Sequence, residues 1–511
     1  KKDEKSDDKS DKKEDKKGDK DSKKGVKDIV VEIDGLEDRV VRLTPTSSNM
    51  ASAMITNDGQ TLYYIASYQA GYELWKMSEN RETKLISKNS GVGSMEMSKD
   101  GKSIYILGSS PKKLTIAGDK LTNISTSADM QLDLAAEREY MFNVVCREES
   151  RRFYTEDMHG VDWPALTKNY RQFLPHINNN YDFANMLSEL LGELNVSHTG
   201  GRYSPRLPGV VTADLGLFFD WEYQGSGLRV EEVIEGSPLD IKDSKVEKGV
   251  IIEKIDGVEI TPDMDYTTLI NDKANVKTLL SLYNPFNGER WEEVTKPVSK
   301  SVINNLLYER WIKNRAADVE RLSNGRLGYV HIKSMNDGSF RDVYSDILGK
   351  YNDKEGIVID TRFNGGGRLH EDVEILFSGK KYLTQVIRGR ESCDMPSRRY
   401  NKPSIMIQCE ANYSNAHGTP WVYREVGLGK LVGMPVPGTM TSVSWTTLQD
   451  PTLVFGIPIV GYRTNRGNYL ENSQLEPDFK VANSPETIIY GVDSQLKVAV
   501  EELLKQIDSQ K

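Results

Sequence analysis

GIVIDTRFNGGG, residues 356–367, joins a short apolar run to an aspartate, an arginine and three successive glycines. GIVIDTR reads as a strand, and the segments around it set the fold class. RLGYVHI (326–332), SIMIQCE (404–410) and LGKLVGM (428–434) are further apolar strands. FRDVYSDILGKY (340–351) has Phe340, Val343, Tyr344, Ile347 and Leu348 on one helical face, and LHEDVEILF (369–377) is also helical. Strands alternating with helices predict an α/β core with a mostly parallel sheet over 296–511. In such sheets, reactive groups gather beyond the carboxyl ends of the strands. Two loops fall there: FNGGG after GIVID, and YSNAHG (413–418) after SIMIQCE.

The second loop belongs to NYSNAHGTPW (412–421), between the run ending at Cys409 and a short helical body expected over 422–426. A strand that turns sharply into a helix lifts a side chain and aims the first helical amides at an oxyanion. The small residue at the centre of this junction is Ala416, which has no nucleophilic atom. Gly365, Gly366 and Gly367 can bring backbone amides close to a ligand. Paired with the second loop they suggest an oxyanion hole, with one N–H from Gly366 and one from His417, the residue after the nucleophile position.

A chain of 511 residues predicts roughly two to four domains. Residues 1–25 are almost wholly Lys, Asp, Glu, Ser and Gly and predict disorder. Over 26–132, short β-rich runs (IVVEI, TLYYIAS, YELWKM, KLISKN, SIYILGS, KLTIAG) alternate with turns, and TNDGQTLYYIA recurs 42 residues later as SKDGKSIYILG. That interval suits β-propeller blades, the alternative being a small β-sandwich. Residues 133–210 are helical; in DFANMLSELLGEL, Phe183, Met186, Leu187, Leu190, Leu191 and Leu194 form one apolar face of a helix ending near Asn195. Residues 211–295 carry LGLFFDW, a GSP turn and an IDG hairpin, which resemble a PDZ domain whose LGLFF segment would bind an extended peptide. A β-module that only packs on its neighbours is the other reading.

The net charge of −9 disfavours nucleic acid as a partner. No apolar run reaches membrane-spanning length. Cys146, Cys393 and Cys409 lack metal-site spacing and read as small buried hydrophobes. No signal peptide opens the sequence, which reads as either a processed chain or a fragment, in the cytoplasm or the periplasm. Of six histidines, His331 in YVHIK reads as structural, whereas His198 in NVSHTGG follows a helix end and is a candidate base.

VDWPALTKNYRQFLPHI, GELNVSH, the PDZ-like insert, GIVIDTRFNGGG, YSNAHGTPW and ENSQLEPD occur in the order found in tricorn proteases and their relatives among the C-terminal processing peptidases. The chain resembles the histidine-based tricorn branch, since VGMPVPGTM offers Thr439 where the processing peptidases use lysine. The resemblance implies a serine endopeptidase with Ser197 and His198 as the paired serine and general base and Glu471 held against Ser197. It sets the nucleophile at position 416, where serine is expected, with Ser414 as the alternative. A serine-to-alanine change, a shifted elbow using Ser414, and a pseudoenzyme or peptide-binding scaffold that keeps the groove all remain open. Unfolded polypeptides or peptides are the implied substrates and homo-oligomers are common in the family; no metal or organic cofactor is called for.

Overall fold

The computed structural model describes residues 31–44, 47–68, 71–88, 93–205 and 209–510; the charged segment 1–25 lies outside them. The chain divides into two compact units, one up to Gln131 and one from Leu132.

In the first unit, β1 (Asn49–Ile55), β2 (Thr61–Ser67), β3 (Tyr72–Ser78) and β4 (Thr83–Ser87) form one antiparallel sheet. A second is formed by β5 (Ser94–Met97), β6 (Ser103–Leu107), β7 (Lys112–Thr115) and β8 (Lys120–Asn123). The sequence repeat is a structural repeat. Thr56 and Ser98 open equivalent turns, their hydroxyls each donating to Asp58 and Asp100 at 2.6 Å, and Gly59 and Gly101 take left-handed backbone angles. Each turn joins the first two strands of its sheet. Of IVVEI, only residues 31–33 are described, and they form no strand.

The second unit begins with α1 (Leu134–Arg152), α2 (Trp163–Arg171) and α3 (Asn180–Gly192), started by the capping side chains of Asp133, Asp162 and Asn179. All six apolar residues predicted on the α3 face are buried, packed with Met141 and Phe142 of α1 and with Leu453, Phe455 and Ile457. Burial of each contributes about 1.5–3 kcal/mol and fixes where the helix ends. The next residues run into β9 (Gly200–Tyr203).

A short pair, β10 (Ala213–Asp214) with β17 (Val298–Ser299), brackets an antiparallel β-module. Its strands are β11 (Leu217–Phe219), β12 (Leu228–Val233), β13 (Ile251–Ile255), β14 (Val258–Glu259), β15 (Thr278–Tyr283) and β16 (Arg290–Thr295). The IDG sequence closes the β13–β14 hairpin with Asp256 and Gly257 both at positive φ, the geometry such a two-residue turn demands.

After α4 (Lys300–Leu322) the α/β core follows: β18 (Leu327–His331), α5 (Asp337–Ser345), β19 (Gly356–Asp360), α6 (His370–Phe377), a hairpin of β20 (Leu383–Ile387) and β21 (Arg390–Met395), then β22 (Ser404–Gln408), α7 (Asn415–Glu425) and β23 (Lys430–Gly433). β24 (Thr441–Thr447), β25 (Leu453–Gly461), β26 (Phe479–Lys480), α8 (Pro485–Ile488) and α9 (Ser494–Ser509) complete the chain. Five strands form a parallel sheet in the order β18-β19-β22-β23-β26, as expected. β9 leaves the helical region to pair with β25, which pairs with β24. Three expectations need correction. Tyr344 is exposed, at the solvent edge of the α5 face with its ring near Phe340; α7 starts at Asn415 and not near Val422; and Cys393 is exposed on the β20–β21 hairpin.

The sheet is tied to α9 by a buried ion cluster. Arg362, two residues beyond β19, reaches Asp360 at 2.6 Å and Asp493 at 2.9 Å, and Asp493 caps α9. Burial alone would raise the Asp360 carboxyl; the Arg362 guanidinium overcomes this and holds it below the usual aspartate range. Arg362→Met would leave the buried Asp360 carboxylate without its guanidinium, while Asp493 would keep only Arg315 at 3.7 Å, so denaturant unfolding of the second unit should show a loss of about 3–5 kcal/mol. Because the folded-state pKa of Asp360 is depressed, its contribution is present at neutral pH and is lost as pH falls below the ordinary aspartate range.

Candidate active site

β22 ends at Gln408, and the chain turns through a loop knitted by Asn412, whose side chain donates to Thr361 Oγ1 at 2.9 Å and to the Ala416 carbonyl at 3.2 Å. The second bond matters because Pro420, four residues on in α7, has no N–H to offer Ala416. Ser414 sits at the N-cap of α7 with φ 58° and ψ −125°, a conformation that non-glycine residues rarely adopt. Its own N–H donates to Thr439 Oγ1 at 3.1 Å. The glycine run lies against this residue: a Cβ on Gly366 would fall 2.7 Å from Ser414 Cβ and 3.2 Å from the Asn415 amide nitrogen. Only glycine leaves that space open. The Asn415 carboxamide oxygen accepts the Leu369 and His370 amides at 2.8 and 3.1 Å, pinning the first turn of α7 to the start of α6.

From the other side comes the loop between α3 and β9. Ser197 N–H donates to Glu471 Oε1 at 2.6 Å, Ser197 Oγ donates to Glu471 Oε2 at 2.9 Å, and the same Oγ lies 2.8 Å from His198 Nδ1. Thr441 Oγ1, at the start of β24, is 3.1 Å from both Ser197 Oγ and His198 Nδ1. All ring hydrogen bonds of His198 are thus made at Nδ1. Its backbone N–H donates to the Tyr413 hydroxyl at 2.8 Å, and the two rings lie 4.6 Å apart. Burial, aided by the Arg202 charge, lowers the His198 pKa to about 4. Burial also raises the Glu471 carboxyl above the ordinary glutamate range, against the opposing pull of the two Ser197 hydrogen bonds.

The structure therefore brings the adjacent Ser197 and His198 together with Glu471, more than 270 positions away, and sets the His198 ring against Tyr413, the neighbour of Ser414. It treats the other candidates differently. Ala416 is fully buried in the hydrophobic core on the α6–α7 face of the sheet. The Gly366 amide is bound to Asn364 Oδ1 at 2.8 Å and the His417 amide to the Ser414 carbonyl at 2.8 Å, so neither expected oxyanion donor is unengaged. The amide at the first helical position, Asn415, has no intrahelical acceptor. The His417 ring is buried, with its pKa lowered to about 4 by burial. His331 fits its structural reading, buried beneath Tyr308.

Sequence reasoning missed four supports. His159 holds the Leu194 carbonyl through Nδ1 at 2.9 Å, and Asn472 holds the Asn195 carbonyl at 2.8 Å, clamping the loop that carries Ser197. These two residues, with Tyr154, Tyr469 and Glu471, line a cavity of about 390 Å³ behind the carboxylate. Tyr413 and Thr441 are the others. Asn472 and Tyr413 lie inside stretches already singled out, whereas His159 and Thr441 carry no local sign of their role. Among the described residues, no cluster of side chains has metal-binding geometry and no helix is long and apolar enough to cross a membrane.

Comparison with known proteins agrees with this architecture. Residues 326–481 match peptidase family S41, and residues 134–192 match the tricorn protease C1 domain. The Streptomyces coelicolor tricorn protease homolog 1 is 26% identical over 79% of this chain and 40% of its own length. The Thermoplasma acidophilum tricorn protease is 23% identical over 84% of this chain and 39% of its own. The crystal structure of the tricorn protease superposes with a TM-score of 0.73 at 18% identity, covering 90% of this chain and 47% of that one. The chain belongs to the tricorn protease and S41 peptidase superfamily. It spans about half the length of the curated relatives it matches.

The depressed His198 pKa has a measurable consequence. The imidazole should stay neutral down to about pH 4, with a ring-nitrogen NMR titration midpoint there rather than near 6.5. The unfolded chain takes up this proton near pH 6.5 and the folded chain only near 4, so His198 should cost stability progressively as pH falls through that window. Arg202→Ala, by removing a nearby positive charge, should move the midpoint upward.

Proposed function

We propose that the second unit is a serine peptidase site in which Ser414 is the nucleophile. The observation that carries this reading is the backbone of Ser414, a strained strand-to-helix elbow beyond the carboxyl end of β22. The buried core position of Ala416 weighs against a nucleophile there. This favours the shifted elbow over an alanine-inactivated one.

The chemistry follows from the hydrogen bonds. With Nδ1–H donating to Ser197 Oγ and Ser197 O–H donating to Glu471, His198 presents Nε2 as a neutral base. Ser414 Oγ attacks the peptide carbonyl while Nε2 takes its proton, and the Ser197–Glu471 chain stabilises the imidazolium that forms. The Asn415 amide, with an amide of the adjoining glycine run, receives the oxyanion. His198 returns the proton to the leaving amine, and water then releases the acyl group.

The substrates we propose are unfolded polypeptides. The β-module reads as PDZ-like: β11 lies beside a groove of about 200 Å³ lined by Leu215, Leu217, Phe219, Tyr266, Ile270 and Lys300, suited to an extended segment. The two sheets of the first unit read as two blades of a propeller, in keeping with the larger size of the relatives.

Hydrolysis of short unstructured peptides by the unaltered chain should fall at least ~1,000-fold in Ser414→Ala and persist in Ala416→Ser wherever that variant folds. Gly366→Ala, which drives a methyl group into Ser414, should cost about 100-fold. A stable protein should be cut rapidly when irreversibly unfolded and survive when native; equal rates at matched sites would defeat the unfolded-substrate reading.

A further inference from the structure

Phe363 opens the FNGGG loop and presents two facts that local packing does not explain. Its backbone is left-handed, φ 63°, a conformation suited to glycine or asparagine and adverse to a bulky aromatic residue. Its side chain is 57% exposed, so the ring gains little burial in return. Strain held in an exposed aromatic side chain points to a task at that surface.

Its surroundings indicate the task. The Phe363 amide meets Cys409 Sγ at 3.4 Å, and the next residue's carbonyl accepts the Tyr413 amide at 3.1 Å, so the backbone that carries the ring is tied to the loop that carries Ser414. Its other neighbour is Trp311 of α4, edge to face at 5.8 Å. Arg310, adjacent to Trp311, lies 5.8 Å from the ring of Phe218, which is exposed on β11, and pairs with Glu232 of β12. One turn of α4 thus links the exposed aromatic residue on the edge strand of the β-module to the exposed aromatic residue beside the nucleophile loop.

We propose that Phe363 is a specificity-determining residue: its ring, backed by Trp311, receives a large apolar side chain of the extended peptide. The chain would run from the β11 edge towards Ser414. This rests on the peptidase reading of the site, and it narrows the substrate class to unfolded segments with a bulky apolar residue. Rigid aromatic side chains suit such anchoring because they offer contact area at small entropic cost.

The test is calorimetric binding of capped peptides, identical except for Phe or Ala at each position in turn, to the Ser414→Ala chain, where they stay intact. One position should favour Phe by roughly 10–100-fold. Adding Phe363→Gly should reduce that preference at least about tenfold, while Phe363→Tyr keeps it. Thermal melting should show Phe363→Gly at least as stable as its parent, since glycine accepts this φ, which separates loss of recognition from loss of fold. An unchanged preference in Phe363→Gly, or none at any position, overturns the inference. Acylation of the unaltered chain by a small activated ester is scored separately: its absence sinks the Ser414 reading alone.

Discussion

The backbone of Ser414 is the constraint on which the rest of the site depends. A residue with φ 58° and ψ −125° does not stay there unless its surroundings over-determine it. Here they do, from three directions. Thr439 holds its amide, Asn412 and the Asn415 carboxamide hold the two ends of the turn, and Gly366 closes on it so tightly that no β-carbon fits. Strain of order 1–3 kcal/mol is thereby placed at the tip of a strand, β22, that is buried along its whole length.

The second half of the site reaches the elbow by a different route, through packing. The apolar face of α3 fixes the end of that helix, and the pairing of β9 with β25 fixes the residues after it. Gly456 of β25 lacks the β-carbon that would strike the His198 carbonyl at 2.4 Å, which lets the loop lie flat on the sheet. Glu471 then needs only two bonds to Ser197 to set the orientation of the imidazole. His159 and Asn472 hold the same loop from behind, so its geometry does not rest on the carboxylate alone.

Much of this was legible in the residues. The alternation around GIVIDTRFNGGG predicted the parallel sheet, the spacing in DFANMLSELLGEL predicted the buried face of α3, and the DG turns marked a true structural repeat. The elbow was harder to read, because α7 begins seven residues before the expected Val422, and where a helix begins decides which side chains its first turn buries. The resemblance set the nucleophile at position 416, with Ser414 as the alternative; α7 starts at Asn415, which makes Ser414 its N-cap and leaves Ala416 buried in the core. That start tolerates Pro420 because a side chain outside the helix satisfies the carbonyl the proline cannot. Such compensation depends on tertiary contacts that no local pattern records. Thr441 and His159 were invisible for the same reason, each reaching the site across a long stretch of sequence.

The most direct test of the account is to treat the unaltered chain with a fluorophosphonate and map the adduct by peptide mass spectrometry. A stoichiometric adduct on Ser414, strongly reduced in His198→Ala, is the predicted result. No adduct on the unaltered chain, together with one at position 416 after Ala416→Ser, would contradict it and return the nucleophile to the position that is alanine here.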